Sequence, residues 1–140
     1  MRVNSLKWTI DEAIKTFQRG GYAFGNPHDE MYCTFIFALI LSSITEILLV
    51  TPLRKFARDA HVENLLSFPP QTQLTDTPEY SDGRLILQDK ASCFPAVVLS
   101  PPACPGCVII DATAAPGNKT SHLSALMGNQ GKVRSPDFLS

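Results

Sequence analysis

A turn of small residues at positions 111–120 is the part of this sequence best suited to bind a ligand. It follows the short apolar run 107–110 and leads into a segment with helical character, 119–127. Small residues let a ligand approach the backbone closely, and the N-terminus of a helix offers unpaired N–H groups with a partial positive charge. The arrangement is typical of the first half of a βα nucleotide-binding unit.

Two well-known phosphate-binding loops do not fit this turn. A P-loop requires G-x-x-x-x-G-K-[ST], and alignment of that motif on Lys119 places Thr113 and Asn118 where glycines are needed. The dinucleotide motif G-x-G-x-x-G is also absent, because Gly117 is the only glycine of the turn. The residues therefore favour a cofactor that presents a carboxylate or a ribose over one bound through its pyrophosphate.

The cysteines are the second candidate for chemistry. The chain has four, and Cys104 and Cys107 have the C-x-x-C spacing of a zinc knuckle or a thioredoxin-like site. No second pair supplies the remaining zinc ligands, and the pair precedes a strand instead of opening a helix. Residues 1–16 lack the apolar core of a secretory signal, so a disulfide framework is not expected. We predict two loop thiols and no metal site.

The elements around the turn follow from hydrophobic periodicity. The run 107–110 is continuously apolar, which is typical of a strand buried on both faces of a parallel sheet. Residues 85–89 lead into a predicted helix at 91–99, in which Pro95 is tolerated only near the first turn. The helix after the turn is expected to end at Gly128.

The N-terminal segment predicts a strand followed by a helix. Residues 2–7 are strand-like, and Thr9 with Glu12 three positions later is a capping-box signal. Apolar residues then recur at helical spacing until Gly20 and Gly21 end the helix. This is the beginning of an α+β unit.

Residues 31–53 form an apolar stretch that contains one charged residue, Glu46. About 20 apolar residues suffice to span a bilayer, and basic residues follow the stretch directly, as a cytoplasmic flank would. Glu46 and the neighbouring polar cluster 42–45 count against insertion, because an ionised Glu in a membrane helix costs a few kcal/mol. A spanning helix, a buried helix and a segment foreign to the domain are the three alternatives.

The composition limits the class of protein. A chain of 140 residues can hold one small domain or pieces of two. Twelve basic and thirteen acidic residues give a formal charge of −1, which argues against a dedicated electrostatic nucleic-acid arm. Hydrophobic residues at 44% exclude a disordered chain, and the small charged fraction of 18% reflects the apolar stretch 31–53.

Three segments, in the same order, resemble a known enzyme family. The turn reads DATAAPGNKT, which resembles motif I, approximately DACAAPGGKT, of the RsmB-like, Sun-domain family of S-adenosylmethionine-dependent RNA (cytosine-C5) methyltransferases. The segment LILQDKASC at 85–93 resembles the helix that opens the catalytic domain, and RVNSLK at 2–7 resembles a strand of the accessory domain. With Asn118 after Gly117, the chain is most similar to the eukaryotic branch that acts on large-subunit rRNA.

The resemblance implies a fold and a domain organisation. We expect an α/β chain in which residues 76–140 form the start of a Rossmann-like methyltransferase domain. Residues 1–75 would be part of a small α+β accessory domain that binds RNA. The stretch 31–53 has no counterpart in the family, and we interpret it as an insertion, such as translated intron or the product of alternative splicing.

The resemblance also implies which residues bind S-adenosylmethionine. The backbone of the turn would wrap the methionine end of the cofactor through Thr113, Ala114, Ala115, Pro116, Gly117, Asn118 and Lys119. Lys119 would reach the cofactor carboxylate, or it is a solvated helix lysine. Asp111 would either pair with the cofactor ammonium or fix the turn. Gln88 and Asp89 are expected to cap and position the first helix.

The sequence departs from the family pattern in four respects. Thr113 replaces a Cys of similar size, and Asn118 replaces a Gly at a site where Asn still tolerates left-handed backbone. The family continues after the segment 131–133 into a strand that ends in a ribose-binding acid, whereas here residues 134–140 follow and the chain ends. The two family cysteines, one of which attacks C6 of the target cytosine, lie in Pro-Cys and Thr-Cys motifs that this sequence lacks. No catalytic residue is assigned.

The expected function is therefore that of a truncated RNA (cytosine-C5) methyltransferase, acting on rRNA, that is poorly stable and inactive alone. By resemblance it belongs in the nucleus or nucleolus, with RNA as its partner and no metal. The alternative is a non-catalytic fragment that binds S-adenosylmethionine, either anchored to a membrane through residues 31–53 or regulatory. A cofactor-binding module that pairs with another chain is a third interpretation.

Overall fold

Short strands in three small sheets and a set of helices make up the part of the chain that the structure describes. The structure is a computed structural model that describes residues 1–25 and 54–135. The elements are β1 (Arg2–Val3), α1 (Ile10–Arg19), β2 (Ala23–Gly25), β3 (Lys55–Arg58), β4 (Leu66–Ser67), α2 (Pro78–Ser81), β5 (Leu85–Ile86), α3 (Lys90–Leu99), β6 (Val108–Ile110), α4 (Asn118–Leu126) and β7 (Lys132–Arg134). The α/β class predicted from the sequence is confirmed.

Helix α1 begins as its capping box predicts. The backbone N–H of Glu12 donates to Oγ1 of Thr9 at 3.3 Å, and the backbone N–H of Thr9 donates to Oε2 of Glu12 at 3.1 Å. Ala13 and Phe17 lie on its buried face, and Gly20 caps its C-terminus. The predicted helix is confirmed, and α1 packs its apolar face on the sheets beside it. The strand-like run 2–7 is a strand only at Arg2–Val3, and residues 5–7 form a turn.

The strands of the N-terminal half are joined across long sequence separations. Strand β3 pairs in parallel with β2 and antiparallel with β4. Strand β1 pairs antiparallel with β5, and an isolated bridge joins Arg2 to Leu65 on its other side. Strand β1 thus lies between the segment at 64–66 and β5, and residues 85–86 form its second neighbour. The division at residues 75 and 76 stays a prediction.

An aromatic cluster forms the core of this half. Phe56 is fully buried, and its ring lies 5.4 Å from that of Phe68 in a stacked arrangement and 5.6 Å from that of Phe17 in an edge-to-face one. Tyr22 closes the cluster, with its ring centre 5.7 Å from that of Phe17. Aromatic pairs at these separations stabilise a core beyond the area that they bury.

The C-terminal half is a βα unit preceded by helix α3. Helix α3 covers the predicted 91–99 segment, although Pro95 lies in its second turn and not near its start. Strands β6 and β7 pair in parallel, with Ile109 opposite Val133. Helix α4 connects them and ends where the sequence predicts, with Gly128 in left-handed backbone.

The prediction that the apolar run 107–110 is buried on both faces is wrong for the described structure. Val108 and Ile110 are 51% and 70% exposed, whereas Ile109 is half-buried. Val108 and Ile110 lie two positions apart and therefore share one face of the strand. No element within residues 1–25 and 54–135 covers that face, so the strand carries an apolar surface.

Two further sequence predictions concern the cysteines and the apolar stretch. Cys104 and Cys107 are joined as a disulfide, which corrects the prediction of two loop thiols. Among residues 1–25 and 54–135, no cluster of side chains could hold a metal ion, and no helix has the length and hydropathy needed to cross a membrane. The apolar stretch 31–53, on which the membrane and insertion interpretations rest, lies outside the described residues.

Candidate cofactor-binding site

Asp111 fixes the turn between β6 and α4. It is buried at the end of β6, and its Oδ1 accepts a hydrogen bond from the backbone N–H of Thr113 at 3.0 Å. Its Oδ2 accepts one from Oγ1 of Thr120 at 2.7 Å, in the first turn of α4. Both carboxylate oxygens are thus used within the turn. Of the two roles open for Asp111, the structure favours fixing the turn over pairing with an ammonium group.

Gly117 makes the tight entry into α4. Its φ of 105° lies in the left-handed region, where a side chain would be strained, and its N–H donates to the carbonyl of Ala114. It is the N-cap residue of α4, and no side chain caps the helix. The N–H groups of the first turn of α4 are therefore available to a ligand.

Asn118 is helical and not left-handed. It is the first residue of α4, so the left-handed backbone that its position was expected to need belongs to Gly117 instead. Its side-chain Nδ2 donates to the carbonyl of Leu87 at 2.9 Å. Asn118 therefore connects the turn to the segment that precedes α3.

A cleft of about 220 Å³ lies between these two segments. One wall consists of Leu87, Gln88, Asp89 and Ser92, from the end of β5 into the first turn of α3. The other wall consists of Ala115, Pro116, Asn118 and Lys119. Four of the seven residues predicted to bind cofactor line this cleft, whereas Thr113, Ala114 and Gly117 shape the turn behind it.

The first wall, with Gln88 and Asp89, was not predicted from the sequence. Gln88 and Asp89 were expected only to cap and position the helix. The amide Nε2 of Gln88 does donate to the carbonyl of Ser92 at 3.0 Å, and Asp89 is the N-cap residue of α3. The carboxylate of Asp89 caps no backbone N–H, however, and both residues line the cleft. The signal available in the sequence was the polar pair directly before α3.

The cleft carries charges of both signs. Lys119 is half-buried in one wall and forms no ion pair with any residue in the described ranges. Asp89 contributes a carboxylate from the other wall. An ammonium and a carboxylate group on facing walls complement the carboxylate and ammonium groups of an α-amino acid.

Behind the cleft lies a buried cation, Arg2. Its side chain donates from Nε to Oε1 of Gln88 at 2.7 Å and from Nη2 to Oγ of Ser121 at 2.7 Å. Burial lowers the pKa of Arg2 to about 10, so the guanidinium remains charged at neutral pH. His122 is buried in the same region, and burial, together with the charge of Arg2, lowers the pKa of its imidazole to about 4.

His122 is expected to make stability depend on pH between about 4 and 6.5. Because its folded-state pKa is lowered, the unfolded state binds more protons in this window, and stability falls as the pH falls. The full contribution, present above pH 6.5, is at most about 3 kcal/mol. Urea unfolding of the wild type and of His122→Gln at pH 7 and pH 4.5 measures it. If the free energy of unfolding fell equally in the two proteins between pH 7 and pH 4.5, His122 would contribute nothing to the pH dependence of stability.

Comparison with known proteins shows similarity over nearly the whole chain. Residues 1–88 match a family described as NOL1/NOP2/Sun domain family member 5, ferredoxin-like domain. A 28S rRNA (cytosine-C(5))-methyltransferase of Mus musculus is 44% identical over 133 residues, which cover 95% of this chain and 25% of that protein. A 26S rRNA (cytosine-C(5))-methyltransferase of Caenorhabditis elegans is 40% identical over 140 residues, which cover 97% and 28%.

A solved structure extends the likeness to the fold. The structure of a methyltransferase homologue from Pyrococcus horikoshii has a TM-score of 0.63 and 27% sequence identity, and the match covers 96% of this chain and 33% of that one. The likeness therefore includes both the N-terminal sheets and the βα unit that carries the turn. The chain spans about a quarter of the length of the curated relatives that it matches.

Proposed function

Because the chain belongs to the family of the NOL1/NOP2/Sun domain family member 5 ferredoxin-like domain, we propose that it supplies the accessory domain and the start of the cofactor site of an S-adenosylmethionine-dependent rRNA (cytosine-C5) methyltransferase. The rRNA substrate is proposed from the relatives in mouse and nematode, both of which are named for that activity. The cofactor is proposed from the turn and the cleft. A nucleolar location follows from the rRNA substrate.

The observation that carries the proposal is the cleft between the turn and α3. Uncapped N–H groups at the start of α4 and the ammonium group of Lys119 suit a carboxylate. The carboxylate of Asp89, on the facing wall, suits an ammonium group. The chain thus offers complementary groups to the amino-acid end of S-adenosylmethionine, which carries both charges.

The size of the cleft supports a site for only part of the cofactor. Sites that enclose a drug-sized ligand have volumes of about 300–1,000 Å³. At about 220 Å³ the cleft suits the methionine end and not the whole cofactor. Thr113, Ala114 and Gly117 contribute by holding the backbone of the turn in place, since Asp111 and the left-handed Gly117 fix its shape. When bound, the cofactor would supply the methyl group and its positively charged sulfur.

Calorimetric titration of the 140-residue chain tests this assignment. Lys119→Gln is expected to weaken S-adenosylmethionine binding by about ten- to a hundredfold, because a hydrogen bond to a charged group contributes about 1.5–3 kcal/mol. Asp89→Asn is also expected to weaken S-adenosylmethionine binding. Any affinity for methylthioadenosine, which lacks the amino-acid end, should be the same in the wild type and in Lys119→Gln.

The matched control removes a lysine charge elsewhere. Lys15→Gln alters an exposed position of α1 and should leave binding unchanged. Equal affinity of Lys119→Gln and wild type for S-adenosylmethionine would contradict the role of Lys119. A wild-type chain that binds no S-adenosylmethionine would contradict the proposed cofactor site.

The 140-residue chain is expected to transfer no methyl group to rRNA by itself. Cys33, Cys93, Cys104 and Cys107 follow Tyr, Ser, Ala and Gly, so none has the Pro-Cys or Thr-Cys context of the family's reacting cysteines. Cys93, moreover, is buried, and burial raises the pKa of its thiol. An assay with radiolabelled S-adenosylmethionine and rRNA should detect no turnover, and turnover by the purified chain would refute this expectation.

A further inference from the structure

Arg2 is a buried cation with neutral partners. Its side chain is 1% exposed, and within the described ranges no carboxylate lies at ion-pair distance from it. Its hydrogen-bond acceptors are the amide oxygen of Gln88, the hydroxyl of Ser121 and, at 3.3 Å, the carbonyl of Asn118. Burial of a charge without a counter-ion is expensive, so these acceptors have to stabilise the guanidinium.

Two of the three acceptors belong to the walls of the cleft. Gln88 lies in the first wall and also holds the first turn of α3 through the carbonyl of Ser92. Asn118 lies in the second wall, and Ser121 follows it by one helical turn of α4. The guanidinium therefore joins both walls at once, beside the direct bond from Asn118 to the carbonyl of Leu87.

Arg2 is itself anchored in the N-terminal half. It lies in β1, where it pairs with Ile86 of β5 and forms a bridge with Leu65. The neighbouring Val3 is fully buried, and its N–H donates to the carbonyl of Asn64 at 2.7 Å. The backbone of Arg2 is thus held by the sheet strands of the N-terminal half, whereas its guanidinium reaches Asn118 and Ser121 of the βα unit.

We propose that Arg2 is a positioning residue that sets the separation of the two cleft walls, so that the ligand affinity of the cleft depends on strand β1 of the accessory domain. The part of this inference that concerns S-adenosylmethionine rests on the proposed function. The part that concerns the walls rests on the hydrogen bonds alone. Through Arg2, the accessory domain would act on the cofactor site without touching the cofactor.

The geometry requires an arginine. The planar guanidinium donates in fixed directions, from Nε to Gln88 of the first wall and from Nη2 to Ser121 and to the carbonyl of Asn118 of the second wall. A lysine ammonium is a single point donor and cannot bridge both walls in the same way. Arg2→Lys is therefore expected to behave like Arg2→Gln, although it keeps the charge.

Hydrogen exchange of the 140-residue chain without ligand tests the wall-positioning role. Arg2→Gln should raise exchange of the backbone amides of Ser92, in the first wall, and of Ser121, one helical turn after Asn118 of the second wall. The increase should be on the order of tenfold, since bonds to a charged group are lost. Exchange of the backbone amides of Ala13 and Tyr22, which lie in the N-terminal half, should change less than threefold. Ser121→Ala, which removes one acceptor, should raise exchange of the same wall amides by a smaller factor.

The matched control removes a different hydrogen-bonded guanidinium. Arg58 bonds Asp11 at 2.8 Å on the surface of the N-terminal half, so Arg58→Gln should leave exchange at both walls unchanged. If exchange of all amides rose equally in Arg2→Gln, Arg2 would only stabilise the fold as a whole. If exchange did not rise at either wall, Arg2 would not position the walls. Restoration of wild-type exchange by Arg2→Lys would refute the bridging geometry.

Calorimetry with S-adenosylmethionine separates this inference from the proposed function. If the wild type binds, Arg2→Gln should bind on the order of tenfold more weakly, and equal affinity would overturn the link to the cofactor site. If the wild type does not bind, the proposed cofactor site is wrong, and the exchange experiment still decides whether Arg2 positions the walls.

Discussion

Phe56→Ala is expected to lower the free energy of unfolding by about 3–5 kcal/mol. Phe56 is fully buried in the aromatic cluster, where its ring stacks on Phe68 and meets the edges of Phe17 and Tyr22. The substitution removes the ring from all these contacts and leaves a cavity in the core. Urea unfolding followed by circular dichroism measures the loss, which would be a large fraction of the roughly 5–15 kcal/mol by which domains are ordinarily stable.

Phe24→Ala provides the matched control for this experiment. The two phenylalanines are register partners in the β2–β3 pair, and their ring centres are 5.3 Å apart, but Phe24 is 42% exposed. Removal of its ring should lower the free energy of unfolding by only about 1 kcal/mol. Equal losses in the two variants would show that the aromatic cluster is not the stabilising core of this half.

Gly131→Ala is expected to be the second most damaging substitution. Gly131 has a φ of 84°, and a Cβ atom there would lie 2.6 Å from the carbonyl oxygen of Cys107 and 2.8 Å from Cε of Met127. Left-handed backbone costs a non-glycine residue about 1–2 kcal/mol, and overpacking adds about 1–3 kcal/mol. The free energy of unfolding should fall by about 2–5 kcal/mol, measured by urea unfolding.

Two other glycines separate the causes of that effect. Gly128 also has a positive φ, of 58°, but a Cβ there meets open space, so Gly128→Ala should cost only the strain of about 1–2 kcal/mol. Gly106 lacks both features, and Gly106→Ala should be nearly neutral. If Gly131→Ala and Gly128→Ala had equal effects, the close approach of Gly131 to the loop before β6 would contribute nothing.

The backbone shift caused by Gly131→Ala should also affect the candidate cofactor site. The backbone of Gly131 leads directly into β7, and the carbonyl of Arg134 at the end of β7 accepts from the N–H of Asp111 at 2.8 Å. Asp111 in turn fixes the turn through Thr113 and Thr120. A shift of β7 therefore loosens the carboxylate that gives the turn its shape.

Local signals in the sequence predicted the helices well. Thr9 and Glu12 mark the start of α1, Gly20 its end, and Gly128 the end of α4, because capping and positive φ involve residues that are near neighbours in the chain. Small residues at 111–118 predicted a backbone turn for the same reason. The family was also recognised from these segments, since each of its motifs is a short continuous stretch.

Burial was predicted less well. The run 107–110 was expected to lie inside a sheet, yet Val108 and Ile110 are exposed within the described structure. Hydrophobicity indicates which side chains gain from burial, but whether a strand face is covered depends on elements elsewhere in the fold. The same limit applied to Asn118, whose backbone conformation depended on where α4 begins.

By itself, the sequence determined the family, the α/β class, the caps of α1 and the turn from which Ala115, Pro116, Asn118 and Lys119 reach the cleft. Only the tertiary structure added the facing wall with Gln88 and Asp89, and only it brought Arg2 behind both walls. Arg2 lies 86 positions from Gln88 and 119 from Ser121 along the chain. A cap or a turn is decided by neighbours in sequence, whereas a cleft is decided by which strands pair, and that pairing joins residues from opposite ends of the chain.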